Sequence, residues 1–241
     1  MEVGTVLVIF SIFLLTVLAF APDLGLAAEV WSDDFEDGNL DGWTENLNCI
    51  VSGGRMKGSQ AHAEIQRAST TTSGTWSFDL FDVGGFAATA YYLTVVFTGS
   101  DPDVYPHEYY ALKIIRTSAG DNLRYVYYLD KKVEGLETHL ASYDGLLADD
   151  LRGTLHQISI SRTEVGEMVV RLNGTAILES TDADVTTSEY FFIVFDYDWA
   201  IDNILVDDVP TPAGIPLIFL VVGGAGVVVV LLVVLVFLKR R

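Results

Sequence analysis

The chain has 241 residues and carries 33 Asp and Glu against 14 Lys and Arg, a formal net charge of −19. Between Glu29 and Gly214 the imbalance is steeper, 31 acids against 11 bases. Such a surface repels nucleic acid phosphates and anionic headgroups, which excludes nucleic acid as a partner and leaves divalent cations, neutral polymers or plain solubility.

Residues 1–28 read as an export signal. Val3 to Phe20 is apolar, and Gly25-Leu26-Ala27-Ala28 offers small residues for cleavage after Ala27 or Ala28. Glu2 stands where a basic residue is usual, so an uncleaved anchor is the alternative. Residues 29–208 are long enough for one well-buried domain. Residues 209–214, Val-Pro-Thr-Pro-Ala-Gly, form a Pro-rich linker. Ile215 to Leu238 is 24 residues without a charge, longer than the ~20 that a membrane-crossing helix needs. Lys239, Arg240 and Arg241 follow and stay cytoplasmic by the positive-inside rule. The expectation is a single-pass protein of the cell membrane with residues 29–208 outside. This ending also resembles the C-terminal sorting signals of prokaryotic surface proteins, and both readings stand.

The exported segment reads as strands. Trp76 to Val83, Tyr91 to Thr98, Tyr109 to Thr117, Leu123 to Leu129, His156 to Arg162, Met168 to Leu172 and Tyr190 to Phe195 are short aromatic and β-branched runs. Gly84-Gly85, Gly99-Ser100-Asp101-Pro102, Ala119-Gly120-Asp121-Asn122 and Asn173-Gly174 punctuate them. Many short strands at even spacing predict an all-β sandwich or barrel. Alternation assigns faces. Tyr91, Leu93, Val95 and Phe97 make an apolar row and Tyr92, Thr94, Val96 and Thr98 a mixed one. His156, Ile158 and Ile160 make another core-facing row, which marks His156 as a structural histidine. In Val169 to Ser180, Asn173-Gly174 predicts a type I′ hairpin, because both residues tolerate positive φ. Asn173-Gly174-Thr175 is also a glycosylation sequon. Cys49, the one cysteine, has no intrachain disulfide partner, so the core, with or without a metal, holds the domain. His62, His107, His139 and His156 show no HxH or HExxH spacing, which leaves a zinc site without support.

Four stretches together resemble the concanavalin A-like lectin/glucanase family, including its laminin-G-like members. They are Asp33-Asp-Phe-Glu-Asp-Gly-Asn-Leu-Asp-Gly-Trp43, Gly153 to Arg162, the Asn173-Gly174 hairpin, and Ala200-Ile-Asp-Asn-Ile-Leu-Val-Asp-Asp208. The resemblance covers about residues 30–208. It implies an antiparallel jelly-roll β-sandwich whose first and last strands pair. It further implies a structural Ca²⁺ held by Glu36 and Asp202, with Asp34 and backbone carbonyls as further oxygen ligands. The alternative is that these acids only form polar turns.

Retaining glycosidases need two carboxylates about 5–5.5 Å apart. Laminarinase-type relatives place acids as E-x-D-x-E on one strand. The nearest match, Glu64-Ile65-Gln66-Arg67-Ala68, lacks the later acids, and Asp196-Tyr197-Asp198 lacks the third. The reading therefore leans away from an enzyme. Jelly rolls often bind glycans through aromatics on a concave face, stacking rings on sugar C–H groups. Tyr92, Tyr109 and Tyr128 beside Lys113 and Arg124 are the candidate ligand-binding strip, unless they simply cover a strand surface. The resemblance implies a membrane-anchored binding protein for a glycan, an envelope component or an extracellular protein. A structural envelope protein and a membrane-tethered glycoside hydrolase are the alternatives.

Overall fold

Side-chain alternation decides which face of a half-buried strand is buried, and the long central strands follow it. The computed structural model describes residues 29–60, 62–83, 91–100, 108–119, 122–145, 153–196 and 199–208. The export signal of residues 1–28, the 209–214 linker, the 215–238 span and the 239–241 tail lie outside the described residues.

The strands are β1 (Glu29–Asp33), β2 (Thr44–Leu47), β3 (Cys49–Val51), β4 (Met56–Gly58), β5 (Ala63–Ala68), β6 (Gly74–Asp82), β7 (Tyr91–Gly99) and β8 (Tyr109–Ala119). They continue as β9 (Asn122–Val133), β10 (Leu136–Gly145), β11 (Leu155–Arg162), β12 (Glu167–Leu172), β13 (Thr175–Thr181), β14 (Tyr190–Phe195) and β15 (Trp199–Asp207). Every pairing is antiparallel. One sheet has eight strands in the order β13-β12-β11-β6-β15-β4-β3, with β1 also on β15. The other has seven, β10-β9-β8-β7-β14-β5-β2.

β1 lies on the C-terminal half of β15, from Glu29 opposite Asp207 to Asp33 opposite Ile204. β4 takes the N-terminal half, with Met56 opposite Ile201. The change of partner coincides with an irregularity between Asp202 and Leu205, where Asn203 has φ +49. An extra residue in αL geometry bends a strand and re-aims its side chains.

The two sheets enclose one aromatic-rich core. Trp76, Phe78 and Leu80 of β6 and Ile158 and Ile160 of β11 face Leu93, Val95 and Phe97 of β7 and Tyr110, Leu112 and Ile114 of β8. Trp31, Trp43 and Phe191 meet edge to face, with the Arg67 guanidinium 4.5 Å above the Trp31 ring. Each such aromatic pair adds about 0.5–1.5 kcal/mol beyond its buried area. Arg116 and Asp82 form a fully buried ion pair, and the Tyr125 hydroxyl donates to the same carboxylate at 2.7 Å. Cys49 is buried, and desolvation pushes its thiol up to about 12, so it stays protonated and unreactive.

The Asn173-Gly174 turn has φ +50 and +81, the positive pair that a type I′ hairpin requires. His156 needs a correction. Ile158 and Ile160 are in the core, but His156 lies at the end of the row, half-buried, where the sandwich stops. Its ring bonds Thr154 Oγ1 at 2.6 Å and Asn173 Nδ2 at 2.9 Å. It is a structural histidine that ties a strand end to a turn.

Candidate functional site

The outward face of the seven-stranded sheet carries a cleft of about 500 Å³. Period two puts Tyr92, Thr94 and Val96 of β7, Tyr109, Lys113 and Ile115 of β8, and Tyr128 and Lys132 of β9 on that face. β14 adds Phe192 and Val194, and Glu137 and His139 come from β10. Cross-strand register aligns them. Glu64, Val194, Thr94, Lys113 and Tyr128 form one row from β5 to β9. Val96, Tyr109, Ala111 and Phe192 form a second buried apolar cluster on this outer side, so the cleft has an apolar floor. Tyr92 stands at the rim with 52% of its surface exposed. Its backbone is pinned to Asp196, whose Oδ2 accepts from Tyr92 N at 3.0 Å.

Four of the five residues expected to form a binding strip are therefore together: Tyr92, Tyr109, Lys113 and Tyr128. Arg124 shares their face of β9 but lies beyond the cleft, and its guanidinium is tied to Asp144 on β10. Sequence reasoning missed Glu137, His139 and Lys132. The signal for them was the Glu134-Gly135 turn, at φ +51 and +80, which places Lys132 opposite Glu137 and Asp130 opposite His139. It also missed His62, whose Nε2 contacts the buried Glu64 carboxylate at the other side of the cleft.

The polar groups are closely coupled. Lys113 Nζ lies 2.5 Å from Glu137 Oε1 and 3.2 Å from Asp130 Oδ2. The Tyr109 hydroxyl donates to Glu137 Oε2 at 2.7 Å, and His139 Nδ1 lies 2.5 Å from Asp130 Oδ1. Desolvation pushes the Glu137 pKa up, but the bonds from Lys113 and Tyr109 outweigh it, and the carboxyl sits below its ordinary range. Lys113 is pulled down by desolvation and raised more by Glu137 and Asp130, so it remains an ammonium. A glycosidase acid must hold a proton near neutral pH. Glu137 does not. Glu64 and Gln66 do share the outward face of β5, as the spacing of the incomplete acid motif required, but Glu64 faces His62 and has no second acid on its strand.

The expected calcium residues lie outside this cleft, in the opening loop and on β15. Asp34 Oδ1 accepts from Glu36 N at 3.2 Å within the opening loop. Glu36 leans over Gly54, where a Cβ would sit 2.7 Å from its Oε1 and φ is +67. Asp202 Oδ1 accepts from Asn203 N at 2.8 Å, and Oδ2 lies 3.7 Å from Arg55 Nε. Desolvation raises the Asp202 pKa, the Asn203 bond and Arg55 lower it, and the charges of Asp79 and Glu36 raise it again, leaving it above the ordinary value. The charges of Glu36 and Asp79 thus reach Asp202 beside Arg55, although burial is the largest cause of its raised pKa. Hard oxygen donors of this kind suit Ca²⁺. Asp34, Glu36 and Asp202 do not converge as a trio. Among the described residues, the set of three potential metal-ligand side chains within 4.8 Å of one another is Asp130, Glu137 and His139.

A second cleft, of about 650 Å³, adjoins that loop. It is lined by the opening loop, with Asp33, Asp34, Asp37 and Asp41, and by Asp79 and Asn203 of β6 and β15, with Arg67 as its one cation. Asp33 is its hub. It accepts from Phe35 N at 2.9 Å and from Trp43 Nε1 at 2.7 Å and faces Arg67 at 3.6 Å.

No protein-family model and no curated protein sequence matches the chain. Solved structures do. A carbohydrate-binding module of Bacillus subtilis matches at TM-score 0.52 and 16% identity, over 69% of this chain and 95% of that one. The catalytic domain of an endo-1,3-β-glucanase (laminarinase) of Thermotoga petrophila matches at TM-score 0.56 and 13% identity, over 77% and 99%. The carbohydrate recognition domain of Emp47p matches at TM-score 0.55 and 11% identity, over 78% and 100%. What these proteins share with this chain is the fold, an all-β sandwich of two antiparallel sheets.

Proposed function

We propose that the domain binds a saccharide on the outward face of its seven-stranded sheet, and that a single C-terminal membrane span displays it outside the cell. The observation that carries the first half is the cleft itself, in which Tyr92 and Tyr128 flank an apolar floor that includes Tyr109, next to fixed donors and acceptors. Sugar rings present C–H faces to aromatics and hydroxyls to such polar groups. The names of the carbohydrate-binding module and carbohydrate recognition domain that share the fold support this reading. The second half rests on the uncharged run Ile215 to Leu238 and the basic residues after it. A glycan array probed with the full-length chain tests the binding. Reproducible binding that Tyr92→Ala removes is the expected result, and an array without signal would favour the structural envelope reading. Release of reducing ends from a β-glucan panel would instead favour the hydrolase.

We also infer a structural Ca²⁺ between Glu36 and Asp202. Its support is the nearness of Glu36 and Asp79, whose charges reach Asp202 and add to the larger effect of burial there. A divalent ion there would join the opening loop to the last strand in the folded state only.

A further inference from the structure

On the β8–β9–β10 side of the cleft, charges alternate. Register sets the pattern: Lys113 is opposite Tyr128, Asp130 opposite His139, and Lys132 opposite Glu137. Asp130 is fully buried, and an isolated carboxylate there would be costly. Lys113 and His139 compensate it from two sides. The His139 ring packs on Tyr128 with centroids 4.9 Å apart, and the Lys132 ammonium lies 5.7 Å from the centroid of the Tyr109 ring. Asp130, Glu137 and His139 offer two carboxylate oxygens and an imidazole nitrogen within 4.8 Å, a donor set that suits zinc. Lys113 Nζ lies within 3.2 Å of both carboxylates. A metal ion there would have to displace that ammonium or meet its repulsion.

Resting on the saccharide reading above, we propose that Lys113 is the built-in cation of this site, and that the site takes a neutral, hydroxyl-rich saccharide without a divalent ion. Lys113 acts as a positioning residue. It holds Glu137, whose side chain is 39% exposed, as a fixed acceptor for sugar hydroxyls, and it neutralises Asp130 beneath. Lys132 supplies donors, the outer nitrogen of His139 is an acceptor because its Nδ1–H faces Asp130, and Tyr92 and Tyr128 supply ring faces. Lys113 and Lys132 balance Asp130 and Glu137, so this lattice has no net charge with which to select a carboxylate or sulfate. The acidic domain around it repels such groups.

The test uses the full-length chain. Zinc is titrated calorimetrically into wild type, Lys113→Met, and Lys113→Met combined with Asp130→Asn. We expect Lys113→Met to bind zinc ~10-fold or more tightly than wild type, and the double variant to lose that gain. In parallel, neutral and uronate oligosaccharides of equal length are titrated with and without EDTA. Wild type should bind the neutral one, with EDTA leaving its affinity unchanged, and Lys113→Met should lose binding. Lys113→Arg, which keeps a cation and guards against misfolding of the methionine variant, should restore part of it. Equal zinc affinity in wild type and Lys113→Met would overturn the role of the lysine. So would saccharide binding that needs a divalent ion at unchanged melting temperature. Tighter binding of the uronate would overturn the ligand class. If no saccharide binds to any form, the saccharide reading itself fails, and the zinc titration still decides what Lys113 replaces.

Discussion

The two clefts are built by different means. The cleft on the seven-stranded sheet is made from outward rows of long strands, with lysines, acids and aromatics interleaved by register. The other is made by the opening loop, whose consecutive Asx bonds from Asn39 N to Asp37 and from Asp41 N to Asn39 hold aspartates around a single arginine. The net charge of the chain is therefore not spread evenly. Acidity concentrates in the loop cleft, and on the β8–β10 side of the strand cleft two lysines balance two acids. The proposed calcium and saccharide sites fall on opposite sides of this difference, and substitutions can separate the two.

The largest expected effect is at the hub of the acidic cleft. Asp33→Ala strips partners from Phe35 N, Trp43 Nε1 and Arg67 together, and should destabilise the fold by about 3 kcal/mol in urea. Saccharide affinity of the remaining folded protein should not change. A parallel loss of affinity would merge the two regions. Calcium comes next. A clasp between Glu36 and Asp202 should raise stability by about 2.7 kcal/mol at a hundredfold excess over Kd. Asp202→Ala should abolish most of that gain, whereas Asp144→Ala, on β10 and paired with Arg124, should keep it. Equal stabilisation by Mg²⁺ at the same ionic strength would reduce the effect to screening. In the strand cleft, Tyr92→Ala or Tyr128→Ala should weaken saccharide binding by about 2 kcal/mol and leave the calcium response intact.

The smallest effect is in the pH profile of the urea midpoint, where the two regions differ in sign. Asp202 is raised in the folded state, by desolvation first and then by Asp79 and Glu36 against the lowering by Asn203 and Arg55. The fold therefore binds its proton more readily than the unfolded chain does, and this group gives up stability as pH rises from the ordinary carboxylate value through the folded one. Glu137 and Asp182 are lowered, because bonds from Lys113 and Tyr109, and from Lys131 and Tyr110, outweigh desolvation. Their contribution is complete above the ordinary carboxylate value and is lost as pH falls through their folded values. Asp202→Asn should flatten the upper part of the profile and Glu137→Gln the lower part.

Much of the fold was legible where alternation is strong. Leu93, Val95 and Phe97 are in the core and Tyr92 and Thr94 face out, because a period of two on a half-buried strand leaves no other choice. Asn173-Gly174 was legible because positive φ at both positions restricts the residue types. β10 was not. Leu136–Gly145 is an edge strand that is mostly exposed, so it needs no apolar row and shows none. Missing it hid Glu137 and His139, and it also misplaced Arg124, whose Asp144 partner lies on that strand. The short strands β2 to β5 were hidden for a related reason, being three to six residues long. Without β5, Glu64 and His62 could not be set beside the cleft. The pairing of β1 with β15 came only from the resemblance, since no local pattern encodes a contact between opposite ends of a domain.

The central claim is that a saccharide occupies the outward face of the seven-stranded sheet. The most direct measurement follows methyl resonances of the isotope-labelled full-length chain while a neutral oligosaccharide identified on the array is added. The account predicts saturable shifts at Val96, Ile115 and Val194, which line that cleft, with Ile204 and Leu205 at the acidic cleft unchanged. Saturable shifts confined to Ile204 and Leu205, with Val96, Ile115 and Val194 silent, would contradict it.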